Sequence, residues 1–394
     1  MIILDKITVG LFIDVFFPMT DGVVMVVDNY AKRLAKRCNV IVFAPRYIGK
    51  KFDDKKLGYK VVRCQSLKVP FLDYSLPIPK MDISFQKKLK KYDLDIVHIH
   101  SPFTIGEAGI RYAKYHNIPL IATMHSQYKQ DFMRAVKKEA LANTLTKKII
   151  RVFNKCDECW AVNKEVARIF HEDYGYKKLP LVMPNATEMK PINDDEACKL
   201  INQKYHINDE KVFIFVGRIN ALKNIFFIVD ALKIVRNLNH DLKFKMFFIG
   251  TGQDEEELKK RILEDELEDV ITLVGKIDNR KLLASFYARS DLFLFPSLYD
   301  ASSIVQIEAA SQKTPVLFIE GAATATTVTN NVNGFIAKDN INDYARMIIK
   351  IMHNPKLLER VSNNSFRDLY KNWDDNVEDV YKRYQKLIKE KKKL

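Results

Sequence analysis

Lys211-Val212-Phe213-Ile214-Phe215-Val216-Gly217-Arg218-Ile219-Asn220-Ala221-Leu222-Lys223 opens on an apolar run, Val212–Val216, closed by a glycine and followed by a loop with two cations. A short β-branched and aromatic run bounded by glycine reads as a buried strand. From Leu222 to Leu238 the apolar residues return at helical spacing. Strand, glycine loop and helix form one unit, and the alternation continues in both directions. Downstream, strands Phe244–Ile249, Ile271–Val274, Leu292–Phe295 and Val316–Ile319 enclose helices Glu255–Leu263, Arg280–Ala288 and Val305–Gln312. Upstream, the strands are Ile7–Ile13, Asn39–Ala44, Tyr59–Cys64, Ile96–His100, Leu120–Met124, Cys159–Val162 and Leu181–Met183. Between them lie helices such as Val24–Lys36, Thr104–Tyr115 and Glu165–Glu172.

Such alternation predicts an α/β protein with parallel sheets and right-handed crossovers. A polar stretch without periodicity, Glu188–Asp194, divides it into two Rossmann-like domains, residues 1–188 and 189–370. A last segment, 371–394, reads as a helix with Val377, Val380, Tyr381, Tyr384 and Leu387 on one face. The 394 residues suit two domains, and 47% hydrophobic with 29% charged residues is a globular composition. No apolar run reaches the length of a membrane span, and no signal peptide is evident, so a cytoplasmic protein is expected.

The net charge of +15 is unevenly placed. Residues 1–190 hold 33 Lys and Arg against 19 Asp and Glu, and residues 191–394 hold 31 against 30. A basic first half points to an anionic partner: nucleic acid, a membrane surface or a phosphate-bearing substrate. No basic-aromatic nucleic-acid module is present, so nucleic acid is not expected. Five cysteines argue against a disulfide framework. Cys156-Asp157-Glu158-Cys159 has C-x-x-C spacing, but no second ligand pair accompanies it, and Cys159–Val162 reads as buried strand.

Open parallel sheets bind ligands at the carboxyl ends of their strands, where helix N-termini offer free N–H groups. Four loops in such positions carry chemistry. Phe16–Val23 contains Gly22, whose missing side chain allows close backbone approach beside a helix N-terminus. In Gly217–Lys223, Arg218 and Lys223 can converge on one diphosphate, a planar fork and a point charge. In Pro296–Glu308, Asp300 lies on the loop and Glu308 about one turn into the next helix, with Ser302 and Ser303 between them at a helix start. Glu308 sits in an apolar run, where an unpaired acid is costly, so it reads as a ligand group or a salt bridge. His125 ends the strand Leu120–Met124 and can hydrogen-bond a sugar hydroxyl or a developing charge, or be a satisfied structural histidine. His98 and His100 are assigned to opposite faces of their strand, which rules out a shared metal site. Asp93-Leu94-Asp95 precedes its strand and reads as a charged strand entry.

These pieces, in this order, resemble the retaining GT-B glycosyltransferases of family 4, whose two Rossmann-like domains face each other across a cleft. The resemblance rests on Phe17-Pro18…Gly22, Asp95-Ile96-Val97-His98-Ile99-His100, Met183-Pro184-Asn185, Gly217-Arg218…Lys223, the acidic pair Asp300…Glu308 and the terminal Trp373-Asp374 helix, which resembles the one that crosses back onto the first domain. It implies that Gly22 lies under the donor diphosphate and His125 contacts the donor sugar. It implies that Arg218 and Lys223 bind the diphosphate and Asp300 binds sugar hydroxyls. The Ser302 and Ser303 amides would approach the distal phosphate, and Glu308 would hold the ribose. The family pattern has Glu then Gly-Phe-Gly where this chain has Asp300 then Ala301-Ser302-Ser303. His100-Ser101-Pro102-Phe103-Thr104-Ile105-Gly106 resembles the subgroup that includes diacylglycerol glucosyltransferases.

The function so implied is transfer of a sugar, with retention, from a nucleotide-sugar to a hydroxyl of a lipid or cell-surface glycan. A UDP-sugar ranks ahead of a GDP-sugar, and no metal or other cofactor is expected. A basic amphipathic helix over Arg134–Lys155 would suit peripheral contact with an anionic membrane on the inner face of the plasma membrane. Two rival readings are a catalytically weak partner of another glycosyltransferase and a sugar-nucleotide epimerase.

Overall fold

The computed structural model describes residues 6–50, 52–68 and 75–393. The chain forms two compact units, Met1–Asn185 with Trp373–Leu394, and Ala186–Asn372.

The first unit contains strands β1 (Thr8–Phe12), β2 (Asn39–Pro45), β3 (Lys60–Cys64), β4 (Ser66–Lys68), β5 (Ser75–Pro77), β6 (Ile96–Ile99), β7 (Leu120–Met124), β8 (Glu158–Ala161) and β9 (Leu181–Val182). Its helices are α1 (Gly22–Leu34), α2 (Ile83–Leu89), α3 (Thr104–His116), α4 (Tyr128–Val136), α5 (Glu139–Phe153) and α6 (Lys164–Arg168). Seven strands form one sheet in the order β3-β2-β1-β6-β7-β8-β9, every neighbour parallel. The strands are buried almost throughout, as in β2, where only Asn39 is exposed. Helices over both faces of a parallel sheet explain these continuous apolar runs. The strands β4 and β5 form a separate antiparallel pair.

The second unit repeats the plan. Strands β10 (Lys211–Val216), β11 (Phe244–Ile249), β12 (Ile271–Gly275), β13 (Leu292–Leu294), β14 (Val316–Ile319) and β15 (Phe335–Ala337) lie in the order β12-β11-β10-β13-β14-β15, again all parallel. Helices α7 (Asp194–Tyr205), α8 (Ile225–Leu238), α9 (Glu255–Glu264), α10 (Arg280–Arg289), α11 (Ile304–Ser311), α12 (Ile341–Met352) and α13 (Pro355–Leu369) join them. The last helix, α14 (Trp373–Lys391), belongs to the first unit. It buries Trp373, Val377, Val380, Tyr384 and Ile388. Arg33 bonds Asp374 at 3.0 Å, Arg37 pairs with Glu378, and Arg383 pairs with Glu158.

In both sheets the strand order reverses once, at β1/β6 and at β10/β13, the switch points where doubly wound sheets bind ligands. Two helices expected to be continuous are broken. Leu222–Leu238 splits into a short turn, Ala221–Lys223, and α8, because Asn224 adopts a left-handed conformation at φ 59°. The helix expected over Arg134–Lys155 is two helices, with Lys137 left-handed between them at φ 51°. Of its apolar residues, Ile149, Ile150, Val152 and Phe153 are buried, Val136 and Leu145 are half-buried, and Leu141 is exposed.

Candidate functional sites

At the β1/β6 switch point the first unit holds a cavity of about 640 Å³. Leu76, Pro77, Phe103, Phe132, Leu145 and Ile149 form apolar walls, while Asp14, Asp21, His100, Glu107, His125, Asp131 and Lys148 are among the polar lining. Asp14, two residues after the end of β1, was not singled out from the sequence. It is buried and accepts hydrogen bonds from Ser101 Oγ (2.7 Å), Thr104 Oγ1 (3.0 Å), Ile105 N (2.7 Å) and Gly106 N (3.2 Å). Burial raises its pKa, and these four donors pull it back. Asp14 thus supplies the cap that Phe103, at the N-cap of α3, has no side chain to provide. A side chain at Gly106 would place its Cβ 1.9 Å from the Ser101 carbonyl oxygen, so this close approach requires glycine.

His125 follows β7 and lines this cavity. Its Nε2 lies 3.0 Å from His100 Nδ1. His98 and His100 occupy the same face of the sheet, with ring centroids 4.1 Å apart, correcting the expectation of opposite faces. Residues two apart on a strand share a face, and that periodicity decides the point. His98 is completed by Thr123 Oγ1 on Nε2 (2.7 Å) and Tyr384 Oη on Nδ1 (2.6 Å). Burial lowers the pKa of all three histidines, that of His125 to about 3, so they are neutral at physiological pH. Among the described residues no group of three or more His, Cys, Asp or Glu is placed to hold a metal ion.

Gly22 is the first residue of α1, and Asp21 caps the helix by accepting from Val24 N at 2.8 Å. A Cβ at Gly22 would meet nothing within 4 Å, so the fold itself does not demand glycine there. Asp95 accepts from Thr8 N at 2.8 Å, consistent with a strand entry. Cys156 and Cys159 are buried free thiols.

The second unit gathers its polar groups at the β10/β13 switch point. Gly217–Asn220 leaves β10 over a glycine floor made by Gly250 and Gly252. A Cβ on either would come within 2.0 Å of the Gly217 or Ile219 carbonyl oxygen. Asp254 accepts from Ala221 N at 2.6 Å and fixes the turn that carries Lys223. Lys223 Nζ meets Asp300 Oδ1 at 2.5 Å and lies 5.5 Å from the centre of the Tyr299 ring. Asp300 Oδ2 and Asn220 Oδ1 are buried and have no hydrogen-bond partner among the described residues. Arg218 is exposed. Ser303 caps α11 by accepting from Gln306 N at 3.3 Å, which leaves its hydroxyl engaged and the helix N-terminus beside Ser302.

Glu308, on α11, is buried and bonded to Arg280 Nη2 at 2.5 Å, with the Tyr287 hydroxyl 3.5 Å from its second oxygen. Burial raises its pKa, and Arg280 and Tyr287 oppose that shift. The ion pair is the structural alternative weighed from the sequence. A carboxylate retains lone pairs for further donors, so pairing does not preclude a ligand. Sequence reasoning missed Arg280, Tyr287 and the Gly250-Thr251-Gly252 floor. The last was accessible as a Gly-x-Gly directly after a strand.

Residues 20–189 match the family described as Glycosyltransferase Family 4, and residues 199–368 match Glycosyl transferases group 1. Alpha-monoglucosyldiacylglycerol synthase of Streptococcus pneumoniae is 28% identical over 319 residues, 78% of this chain and 70% of that protein. The Acholeplasma laidlawii protein of the same name is 26% identical over 370 residues, 91% of each chain. The solved structure of Anabaena Alr3699/HepE in complex with UDP superposes with a TM-score of 0.76 at 15% identity, covering 96% of this chain and 100% of that one. That likeness bears on the fold. Two Rossmann-like units, each with its polar residues at a switch point, and family matches over both units identify the chain as a GT-B glycosyltransferase with a family 4 domain followed by a group 1 domain.

Proposed function

We propose that the protein transfers a glycosyl unit, with retention of configuration, from a nucleotide-sugar to a lipid hydroxyl. The observation that carries this reading is the convergence of Lys223, Asp300 and the N-terminus of α11 at the β10/β13 switch point. Lys223 and Arg218 bind the donor diphosphate, with the Ser302 and Ser303 amides on the distal phosphate. Asp300 takes sugar hydroxyls and Glu308 the ribose. As the bond to the diphosphate breaks, charge grows on the leaving group, and cations with a helix N-terminus stabilise it. The sugar becomes oxocarbenium-like, His125 contacts it, and the acceptor hydroxyl attacks from the face the diphosphate leaves, giving up its proton to the diphosphate. No step requires a divalent ion.

The apolar walls of the first-unit cavity favour a lipid over a polyhydroxyl glycan as acceptor. The similarity to two alpha-monoglucosyldiacylglycerol synthases supports this choice, and the UDP bound to the Anabaena protein supports a UDP-sugar over a GDP-sugar. Among the described residues no helix is long and apolar enough to cross a membrane. Contact with an anionic membrane is assigned instead to the exposed Leu67, Leu76, Met81 and Ile83, which lie among Lys68, Lys80, Lys87 and Lys88. Leu76 also lines the cavity.

The test is transfer from UDP-sugars and GDP-sugars to dispersed diacylglycerol, with and without EDTA, and the anomeric configuration read by proton NMR. An α-linked product from an α-linked donor, unaffected by EDTA, is expected. An inverted product or strict divalent-ion dependence overturns the mechanism. Nucleotide binding without transfer to any lipid or glycan favours the binding-partner reading, for which the Lys223–Asp300 closure is the supporting observation.

A further inference from the structure

The role of His125 leaves His100 unexplained. His100 is 1% exposed and lies directly after β6, the strand beside β7. Three rings fix its plane: His98 at 4.1 Å, His125 at 5.3 Å and the edge of Tyr30 at 5.7 Å. Tyr30 in turn packs edge-on against Trp373 at 5.7 Å, and His98 is held by Tyr384, so α14 supports the histidine cluster at two points. Within this clamp the His100 ring makes one polar contact among the described residues, Nδ1 to His125 Nε2, and its Nε2 is buried with no partner among them.

This arrangement selects a tautomer. Burial keeps both rings neutral, so each carries a single N–H. One of the two facing nitrogens must donate and the other accept. If His125 donated, the hydrogen of His100 would sit on Nε2, a buried donor with no acceptor. If His100 Nδ1 donates, its Nε2 is a bare lone pair, and buried orphan acceptors are tolerated more readily than buried orphan donors. His125 Nε2 then accepts, and the His125 hydrogen resides on Nδ1, which makes no hydrogen bond among the described residues.

We propose that His100 is a positioning residue: it donates from Nδ1 to His125 Nε2, fixes the His125 ring, and makes His125 present an N–H to the transferred sugar. This rests on the proposed transferase reading, in which His125 contacts that sugar. A neutral donor hydrogen-bonds a sugar oxygen without exchanging a proton, so His125 orients and polarises rather than acting as a base. His98 and α14 hold the partner that holds His125.

The test is NMR of the chain labelled with nitrogen-15 at histidine, with transfer kinetics and nucleotide titration on His100→Leu and His100→Asn. In wild type, His125 should be the Nδ1–H tautomer. His100→Leu should give mixed tautomers and a kcat lower by about 10²-fold with nucleotide Kd unchanged, since loss of orientation costs rate rather than binding. His100→Asn places an amide N–H near the lost Nδ1 and should restore most of the rate. An Nε2–H tautomer for His125 in wild type, or full kcat in His100→Leu, overturns the proposal. The wild-type tautomer needs neither a variant nor turnover, so a chain that transfers no sugar would sink the transferase reading while the spectrum still decides the positioning.

Discussion

Lys223 Nζ stands 2.5 Å from Asp300 Oδ1, and each side chain is only about one-sixth exposed, at 17% and 16%. The cation assigned to the diphosphate and the acid assigned to the sugar are therefore closed on each other in the free protein. Lys223 keeps two further N–H donors, and Asp300 an Oδ2 with no partner among the described residues, so the donor competes with this contact without having to break it. Asp300→Asn removes the competitor for Lys223 while weakening the sugar contact. The variant is expected to bind UDP at least as tightly as wild type, yet transfer sugar about 10- to 100-fold more slowly, the loss of one hydrogen bond to a charged group. Calorimetry with UDP beside initial-rate measurement separates the two effects.

Arg280 is the one ion-pair partner of Glu308 among the described residues. Burial already raises the Glu308 pKa, and Arg280 lowers it. Arg280→Met lets it rise further. Above the ordinary glutamate range of about 4.3 the native state then binds more protons than the unfolded state, so its stability falls as pH rises through the raised pKa. The variant should be less stable than wild type by about 1–3 kcal/mol at mildly alkaline pH, with the deficit shrinking under acid. Urea denaturation across pH checks this, and a deficit independent of pH would count against it.

Gly22→Ala adds a methyl group into open space at the first position of α1. Folding stability should hold or rise, because alanine is favoured over glycine in a helix by about 0.5–1 kcal/mol. If the diphosphate lies against this backbone, donor affinity falls in the same variant. Unchanged affinity would remove Gly22 from the donor site.

Lys80, Lys87 and Lys88 are exposed beside Met81 and Ile83, while Asp82 is buried as the cap of α2. Reversing the three lysines to glutamate should release the protein from anionic vesicles, since each lysine near such a surface contributes about 1 kcal/mol. Co-sedimentation reads the change. Equal binding to anionic and zwitterionic vesicles by wild type would dismiss the surface.

Much of this architecture was readable in advance. The strands Phe244–Ile249 and Val316–Ile319 fall on the expected residues, because strands buried on both faces read as unbroken apolar runs. The breaks at Asn224 and Lys137 were not read from the sequence: asparagine enters the left-handed region more readily than other side chains but does so in a minority of cases, and lysine carries no such mark. The short β15 and the pair β4/β5 carry too few residues for a periodic signal. At the candidate sites, residue types after strands singled out Lys223, Asp300, Glu308 and His125, but not the pairing of Lys223 with Asp300, of Glu308 with Arg280 or of His125 with His100. Tyr384 was visible only as one more apolar residue on the last helix, and its hydroxyl finds His98 across 286 residues of sequence. Arg280 opens a helix in a basic chain and has no local mark that sets it apart. The His98 and His100 assignment failed on a rule the sequence does contain, the period of two along a strand.

The most direct measurement is calorimetric titration of UDP and GDP into wild type, Lys223→Ala and Glu308→Gln. Wild type is expected to bind UDP in preference to GDP, and both substitutions are expected to abolish or sharply weaken that binding while the protein remains folded. Failure of wild type to bind either nucleotide, or binding that survives both substitutions, would contradict a nucleotide-sugar site in the second unit.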